Sequence, residues 1–321
     1  MAASGGDNGS VAWGIEAVGA SGCQFTGTGV CVAVLDTGIV SDHPAFAGVK
    51  LIERDFSGSG AGDRHGHGTH CAGTIFGRPV GKVRIGVAPG ISTALVGKVL
   101  GDSGSGTTSA IFKGLLWAIE EGANVISMSL GVNFFRRVEE LEKQRGWPIR
   151  LATSHTLVEY RRTLKMFEAI VKVARARQGF GGDPVIVAAA GNDSSRDINP
   201  EYKIAGSLPA GVCDLSVGAV GRDGQRLSVA RFSNSDPHLV GPGVDVKSAW
   251  IGGDLHTLSG TSMACPHVAG VAALWIERQR AAGEDTSAFT ICSHLRVSAR
   301  KDKLAAGSAQ VDVGSGLVTA P

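Results

Sequence analysis

Val30-Cys31-Val32-Ala33-Val34-Leu35-Asp36-Thr37-Gly38 is an unbroken apolar run closed by a carboxylate, a hydroxyl and a glycine. Apolar residues at every position, not at alternate ones, mark a strand buried on both faces, the pattern of a parallel sheet covered by helices. The acid then stands at the carboxyl end of the strand, where open α/β sheets gather their chemistry. Working outward, Thr93 to Leu100, Val125 to Met128, Val185 to Ala189 and Leu215 to Val220 read as further strands, with helix-like stretches between several of them. This alternation predicts an α/β fold with a mainly parallel central sheet flanked by helices.

The clearest helical pattern runs from His155 to about Gln178, where Leu157, Tyr160, Leu164, Phe167, Val171 and Ala174 recur at spacings of three and four. Its apolar stripe is expected on the sheet. Gly179 to Pro184 reads as its stop. A second helix is expected from around Ser262 through Val268, Val271, Ala272, Leu274 and Trp275 to about Arg280. Between Leu130-Gly131 and His155, Phe134, Phe135, Val138 and Leu141 form one side of a short helix that Gly146 and Pro148 stop. The chain thus reads as a single domain over residues 1–321 with a helical insertion at about 132–154. The insertion is either a helix packed on the surface or a lid or docking element.

With 31 basic and 29 acidic residues the net charge is +2, and no basic block with interleaved aromatics is present, so a nucleic-acid partner is not expected. Glycine, 47 of 321 residues, is about twice its usual ~7%, which favours tight loops around a compact core. No apolar run approaches the ~20 residues that span a bilayer, so no membrane is expected. The six cysteines lack metal-ligand spacing and several lie inside apolar patterns, so mostly free thiols and no zinc are expected.

Three distant segments supply an acid, a base and a nucleophile in the order Asp, His, Ser: the strand ending at Asp36, His67-Gly68-Thr69-His70-Cys71-Ala72-Gly73-Thr74, and Ser259-Gly260-Thr261-Ser262-Met263-Ala264-Cys265-Pro266-His267. A serine hydroxyl is a weak nucleophile at its own pKa. It needs an imidazole within reach and a buried carboxylate to hold the useful tautomer.

These segments resemble the catalytic motifs of the subtilisin-like (subtilase) serine proteases, and the likeness runs from Trp13-Gly14-Ile15 to Gly314-Ser315-Gly316-Leu317-Val318. The resemblance implies a subtilisin-like three-layer architecture and a serine endopeptidase working through an acyl-enzyme. Asp36 falls on the orienting carboxylate, His67 on the general base and Ser262 on the nucleophile. Val187-Ala188-Ala189-Ala190-Gly191-Asn192 is similar to the family's oxyanion strand. It puts the Asn192 amide, the Ser262 N–H and, in support, Thr261 at the oxyanion hole. His70 and His267 read as structural residues, and Cys71 as packing beneath the histidine.

The same resemblance implies an extended peptide or protein substrate, with Ser103, Gly104, Ser105 and Gly106 on one edge and Ser129, Leu130 and Gly131 on the other. A primary pocket between 129–131 and Ala189, Ala190 and Gly191 has small uncharged walls, so apolar residues are expected before the cut. Leu100, Ile111 and Leu130 line a second apolar pocket, with Thr108 at its rim. No cofactor or metal is required: Ala45 stands where the family's calcium loop wants a carboxylate, which leaves only weak calcium binding around Asp55 and Asp63. A monomer is expected. The first thirty residues lack a basic start followed by an apolar stretch. That favours a cytoplasmic enzyme, the alternative being a secreted mature enzyme without its signal and prosegment. Alternative functions on the same fold are a dedicated processing protease, a peptide ligase or macrocyclase, and a catalytically silent peptide-binding protein.

Overall fold

In chain order the elements are α1 (Trp13–Ala17), β1 (Cys31–Asp36), β2 (Lys50–Asp55), α2 (His67–Phe76), β3 (Thr93–Lys98), α3 (Thr108–Glu120), β4 (Val125–Met128), α4 (Phe134–Arg145), α5 (Ile149–Ala176), β5 (Val185–Ala189), β6 (Leu215–Asp223), β7 (Arg226–Val229), β8 (Leu239–Pro242), β9 (Val246–Ala249), β10 (Leu255–Leu258), α6 (Thr261–Ala282), α7 (Ala288–Val297) and α8 (Gln310–Val313). They come from a computed structural model that describes residues 10–177 and 183–321.

The main sheet has the order β2-β3-β1-β4-β5-β6-β7, with β8 also paired to β6. Its pairings are parallel except β6 with β7. The expected mainly parallel α/β architecture is therefore present. Alternate residues of β1 feed two different cores. Val32 and Val34 join Ile75, Val96, Val187 and much of α6 on one face. Ala33 and Leu35 join Leu95, Leu115, Trp117, Ile126, Phe167 and Ile170 on the other. A strand serving two cores has no polar positions to spare, which is why β1 lacks alternation.

β1 lies between β3 and β4, so the strand order reverses there. The carboxyl end of β1 is thus the topological switch point, where the flanking connections diverge and leave a crevice. Asp36 closes that strand. β3 ends at Lys98, short of the expected Leu100, because the Val99 and Leu100 amides turn inward to donate to the Asp36 carbonyl at 2.9 and 3.1 Å.

α5 starts at Ile149, six residues before the expected His155, and ends at Ala176; of its expected stop, Gly179 to Pro184, residues 179–182 lie outside the described residues. Its second half delivers Tyr160, Leu164, Phe167, Val171 and Ala174 to the sheet-side core as expected, and adds Ile170. Leu157 does not reach the sheet and is exposed. The reason is that the first turns of α5 pack on α4 instead: Val138, Leu141 and Ala152 form a small core with Phe134 and Trp147. α4 ends at its predicted stop. The Asn133 side chain caps its start by accepting from the Arg136 N–H at 2.9 Å, and Gly146 closes it at φ 66°, a left-handed turn. Phe135, expected on the packed side, is half exposed. No helix among the described residues is long and apolar enough to cross a membrane.

Candidate active site

The acid and base meet where β1 ends and α2 begins. Asp36 is fully buried, and its Oδ1 accepts from the Thr37 N–H at 2.7 Å and from His67 Nδ1 at 2.7 Å. That bond places the proton on Nδ1 and leaves Nε2 as the lone pair facing solvent. Burial opposes protonation of His67, but the Asp36 carboxylate and its hydrogen bond outweigh it, and the histidine pKa lies well above its usual value.

His67 is the first residue of α2, whose N-cap is Gly66 and offers no side chain. The free N–H groups of this first turn are met from elsewhere. Thr37 Oγ1 accepts from Gly68 N at 2.8 Å, and Asp63 Oδ2 accepts from Thr69 N at 2.9 Å and Thr69 Oγ1 at 2.7 Å. Asp63 Oδ1 takes Thr37 Oγ1 at 3.0 Å, His65 N at 3.0 Å and Gly66 N at 2.8 Å. One buried carboxylate thus ties the base-bearing helix to the acid-bearing strand. Its pKa is held down, these donors outweighing the burial that would raise it. The glycine after His67 follows from the same closeness, since a Cβ on Gly68 would lie 2.2 Å from the Gly38 carbonyl.

Ser262 occupies the second position of α6. Pro266, four residues on, lacks the N–H that would bond the Ser262 carbonyl. That carbonyl instead accepts from Ser129 Oγ at 2.9 Å and Cys71 Sγ at 3.5 Å. The Ser262 backbone is therefore pinned to the end of β4 and to α2. The Ser262 hydroxyl donates to the Ser129 carbonyl at 3.2 Å. Among the described residues no hydrogen bond joins that hydroxyl to His67, and such bonds are often long in free enzymes. Asn192 follows β5, and its Oδ1 accepts from Thr261 N at 2.8 Å and Thr261 Oγ1 at 2.9 Å, while Thr261 Oγ1 accepts from Gly191 N at 3.1 Å. This orients the Asn192 amide so that Nδ2 remains available beside Gly260. Thr261 holds Asn192 and has no hydroxyl proton left for an oxyanion.

A cleft of about 920 Å³ opens here, lined by Thr37, His67 and Ser262 and then by Leu100, Gly104, Ser105, Gly106, Thr108, Ile111, Ser129, Leu130 and Gly131. The predicted substrate residues Ser103, Ala189, Ala190 and Gly191 do not line it. Ser103 is exposed on a turn closed by Gly104 N to the Gly101 carbonyl at 2.9 Å, whereas Ala189 and Ala190 are buried at the end of β5. Part of the wall comes from α4 and α5, through Phe134, Arg136, Arg137, Glu140, Glu159, Tyr160 and Arg162. The insertion both packs on itself and borders the cleft.

His70 and His267 are buried and bonded away from the chemistry. His70 Nε2 donates to the carbonyls of Val246 and His256, and desolvation pushes its pKa down to about 3. His267 Nδ1 donates to the Met263 carbonyl at 2.8 Å, and burial pushes it down to about 4. All six cysteines are free thiols. Among the described residues, the metal-sized grouping of His, Cys and carboxylates is Asp36, His67 and Cys71, the site itself. Of the expected weak calcium positions, Asp55 accepts from Ser57, Gly58 and Gly60, and Asp63 accepts five hydrogen bonds from Thr37, His65, Gly66 and Thr69.

Sequence reasoning missed the role of Asp63, which lies three residues before the N-cap Gly66 and so outside the position where a cap is read. It also missed Lys98, which is buried and donates to the carbonyls of Thr37 at 2.7 Å and Gly62 at 3.1 Å.

A parallel α/β sheet that brings an acid–base pair and a helix-borne serine to one cleft is the arrangement of a serine-type hydrolase. The chain belongs to the subtilase family, whose description, Subtilase family, matches residues 27–314. It is 35% identical over 317 residues to Subtilisin Savinase of Lederbergia lenta, covering 97% of each chain. It is also 35% identical to Alkaline protease of Alkalihalobacillus alcalophilus over 97% of this chain and 69% of that protein. The crystal structure of a cold adapted subtilisin-like serine proteinase matches with a TM-score of 0.67 at 28% identity, covering 93% of this chain and 91% of that one. Its enzyme class is accordingly that of the serine-type endopeptidases.

Proposed function

We propose that the chain cleaves peptide bonds through an acyl-enzyme on Ser262. His67 Nε2 takes the hydroxyl proton as Ser262 attacks the scissile carbonyl, then returns it to the leaving amine; water repeats the cycle to release the acid. Asp36 fixes the imidazole tautomer and stabilises the imidazolium. The Ser262 N–H and the Asn192 amide donate to the oxyanion, with Thr261 in a supporting role as the residue that aims Asn192. The substrate is an extended peptide whose residue before the cut is apolar, and Leu100, Ile111 and Leu130 receive a second apolar side chain. No metal or cofactor takes part.

The observation that carries this reading is the 2.7 Å bond from His67 Nδ1 to buried Asp36, on the wall of the cleft that also contains Ser262. A fluorophosphonate probe with a peptide substrate tests it. Labelling at Ser262 and hydrolysis that both vanish in Ser262→Ala support the assignment; equal hydrolysis by that variant overturns it. Hydrolysed rather than ligated or cyclised products in mass spectra separate the endopeptidase from the ligase.

A further inference from the structure

The part of the cleft walled by α4 and α5 carries charge that the reaction does not use. Arg137 is neutralised within the wall: its Nε and Nη2 donate to Glu159 at 3.0 and 3.2 Å, and its Nη1 lies 3.1 Å from Glu140. Both acids of this wall are thereby taken. Arg136 from α4 and Arg162 from α5 line the same cleft, are exposed, and have no side-chain hydrogen bond or ion pair among the described residues. Helix stability does not account for Arg136, because it stands in the first turn of α4, where the helix dipole disfavours a cation and no acidic residue offsets it. Two guanidinium groups from different helices, unpaired among the described residues, therefore line one cleft together with the apolar Leu100, Ile111, Leu130, Phe134 and Tyr160.

We infer that this part of the cleft is a distal subsite for an acidic side chain of the substrate, contributed on the N-terminal side of the scissile bond. The inference rests on the proposed reading of the cleft as a peptide site. The segment 129–131 walls the pocket for the residue before the cut, so the groove continuing past Leu130 receives residues further toward the substrate's N-terminus. An extended peptide advances ~3.3 Å per residue and turns alternate side chains to one face. An apolar side chain seated over Leu100 and Ile111 leaves the next one on that face, two residues on, to approach Arg136 and Arg162. Guanidinium groups suit a carboxylate because they donate in a planar fork.

The test uses internally quenched peptides identical except for Glu, Gln or Lys at the fourth to sixth positions before the cleaved bond. The readout is the Glu-to-Gln ratio of kcat/KM within each enzyme. Exposed pairs are individually weak, so the wild type should favour Glu by about 3- to 10-fold, through KM and decreasingly with added salt. In Arg136→Gln/Arg162→Gln the ratio should fall to near one, and in Arg136→Glu/Arg162→Glu the preference should pass to Lys. A wild-type ratio near one, or one that survives both double variants, overturns the subsite. If none of the peptides is hydrolysed, the proposed activity fails separately, and the same ratio measured as Kd by fluorescence anisotropy still decides the subsite.

Discussion

Replacing Asp63 by Asn keeps the shape of a buried side chain and removes its charge, so it isolates what this carboxylate does for the first turn of α2. All five of its hydrogen-bond partners are donors. The carboxamide satisfies three of them if its oxygen faces Thr37, His65 and Gly66, which turns the amide nitrogen toward Thr69 N and Thr69 Oγ1. Two charge-assisted bonds of ~1.5–3 kcal/mol each are then lost. The Thr69 hydroxyl recovers part by rotating, whereas the Thr69 N–H is left facing another donor. The expected destabilisation is about 3–5 kcal/mol. At roughly 2–3 °C per kcal/mol for a chain of this size, the melting temperature should fall by ~6–15 °C. Circular dichroism melts in a Ser262→Ala background, which prevents self-digestion, measure this directly.

A pH series supplies the sign. Asp63 has a depressed folded pKa, so its contribution is fully present above the unfolded carboxyl value of ~3.9 and is lost as pH falls through the folded value. The gap between the two proteins should therefore close in acid. In the active enzyme, loosening the turn that starts with His67 should lower kcat by ~10-fold or more with a smaller change in KM. A melting temperature within ~2 °C of the parent together with an unchanged kcat would refute the capping argument.

Asn192→Ala should lower kcat by ~10² to 10³ with little change in KM, measured by steady-state kinetics on a chromogenic peptide, because its amide acts only on transition-state charge. The base must be neutral to accept a proton, so kcat/KM should rise with pH through the elevated pKa of His67, well above the usual ~6.5. Stability runs the opposite way: the contribution of the protonated His67–Asp36 pair is full below the unfolded pKa and is lost as pH rises through the folded one, which melts across the same series check. Replacing residues 133–147 with a Gly-Ser linker should leave hydrolysis of a small chromogenic peptide within a few-fold while changing cleavage of long substrates. Loss of both activities would show that the Val138, Leu141 and Ala152 cluster supports the main fold.

Much of the site was legible because each role requires a particular local setting. Asp36 ends an apolar strand, Ser262 sits at the start of a long buried helix, and Gly68 follows His67 because nothing larger fits beneath the Gly38 carbonyl. Those requirements leave short motifs. The polar supports were not legible: Lys98 acts on Thr37 and Gly62, and Asp63 had been read only as a weak cation ligand. A hydrogen bond across the fold leaves no periodicity behind.

The insertion shows the same division. The spacing of Phe134, Val138 and Leu141 with stop signals at Gly146 and Pro148 predicted α4 from local chemistry alone, since helix stops act on their own backbone. Where the helix went, and that Leu157 and Phe135 stay exposed while Arg136 and Arg162 reach one cleft, depended on α4 pairing with the first turns of α5. By itself the sequence determined most of the elements, the sheet class and the candidate acid, base and nucleophile, because propensity, burial pattern and side-chain chemistry are properties of short segments. Only the tertiary structure decided which walls the cleft has and which buried groups hold the triad, because those contacts join residues that chain distance leaves unrelated.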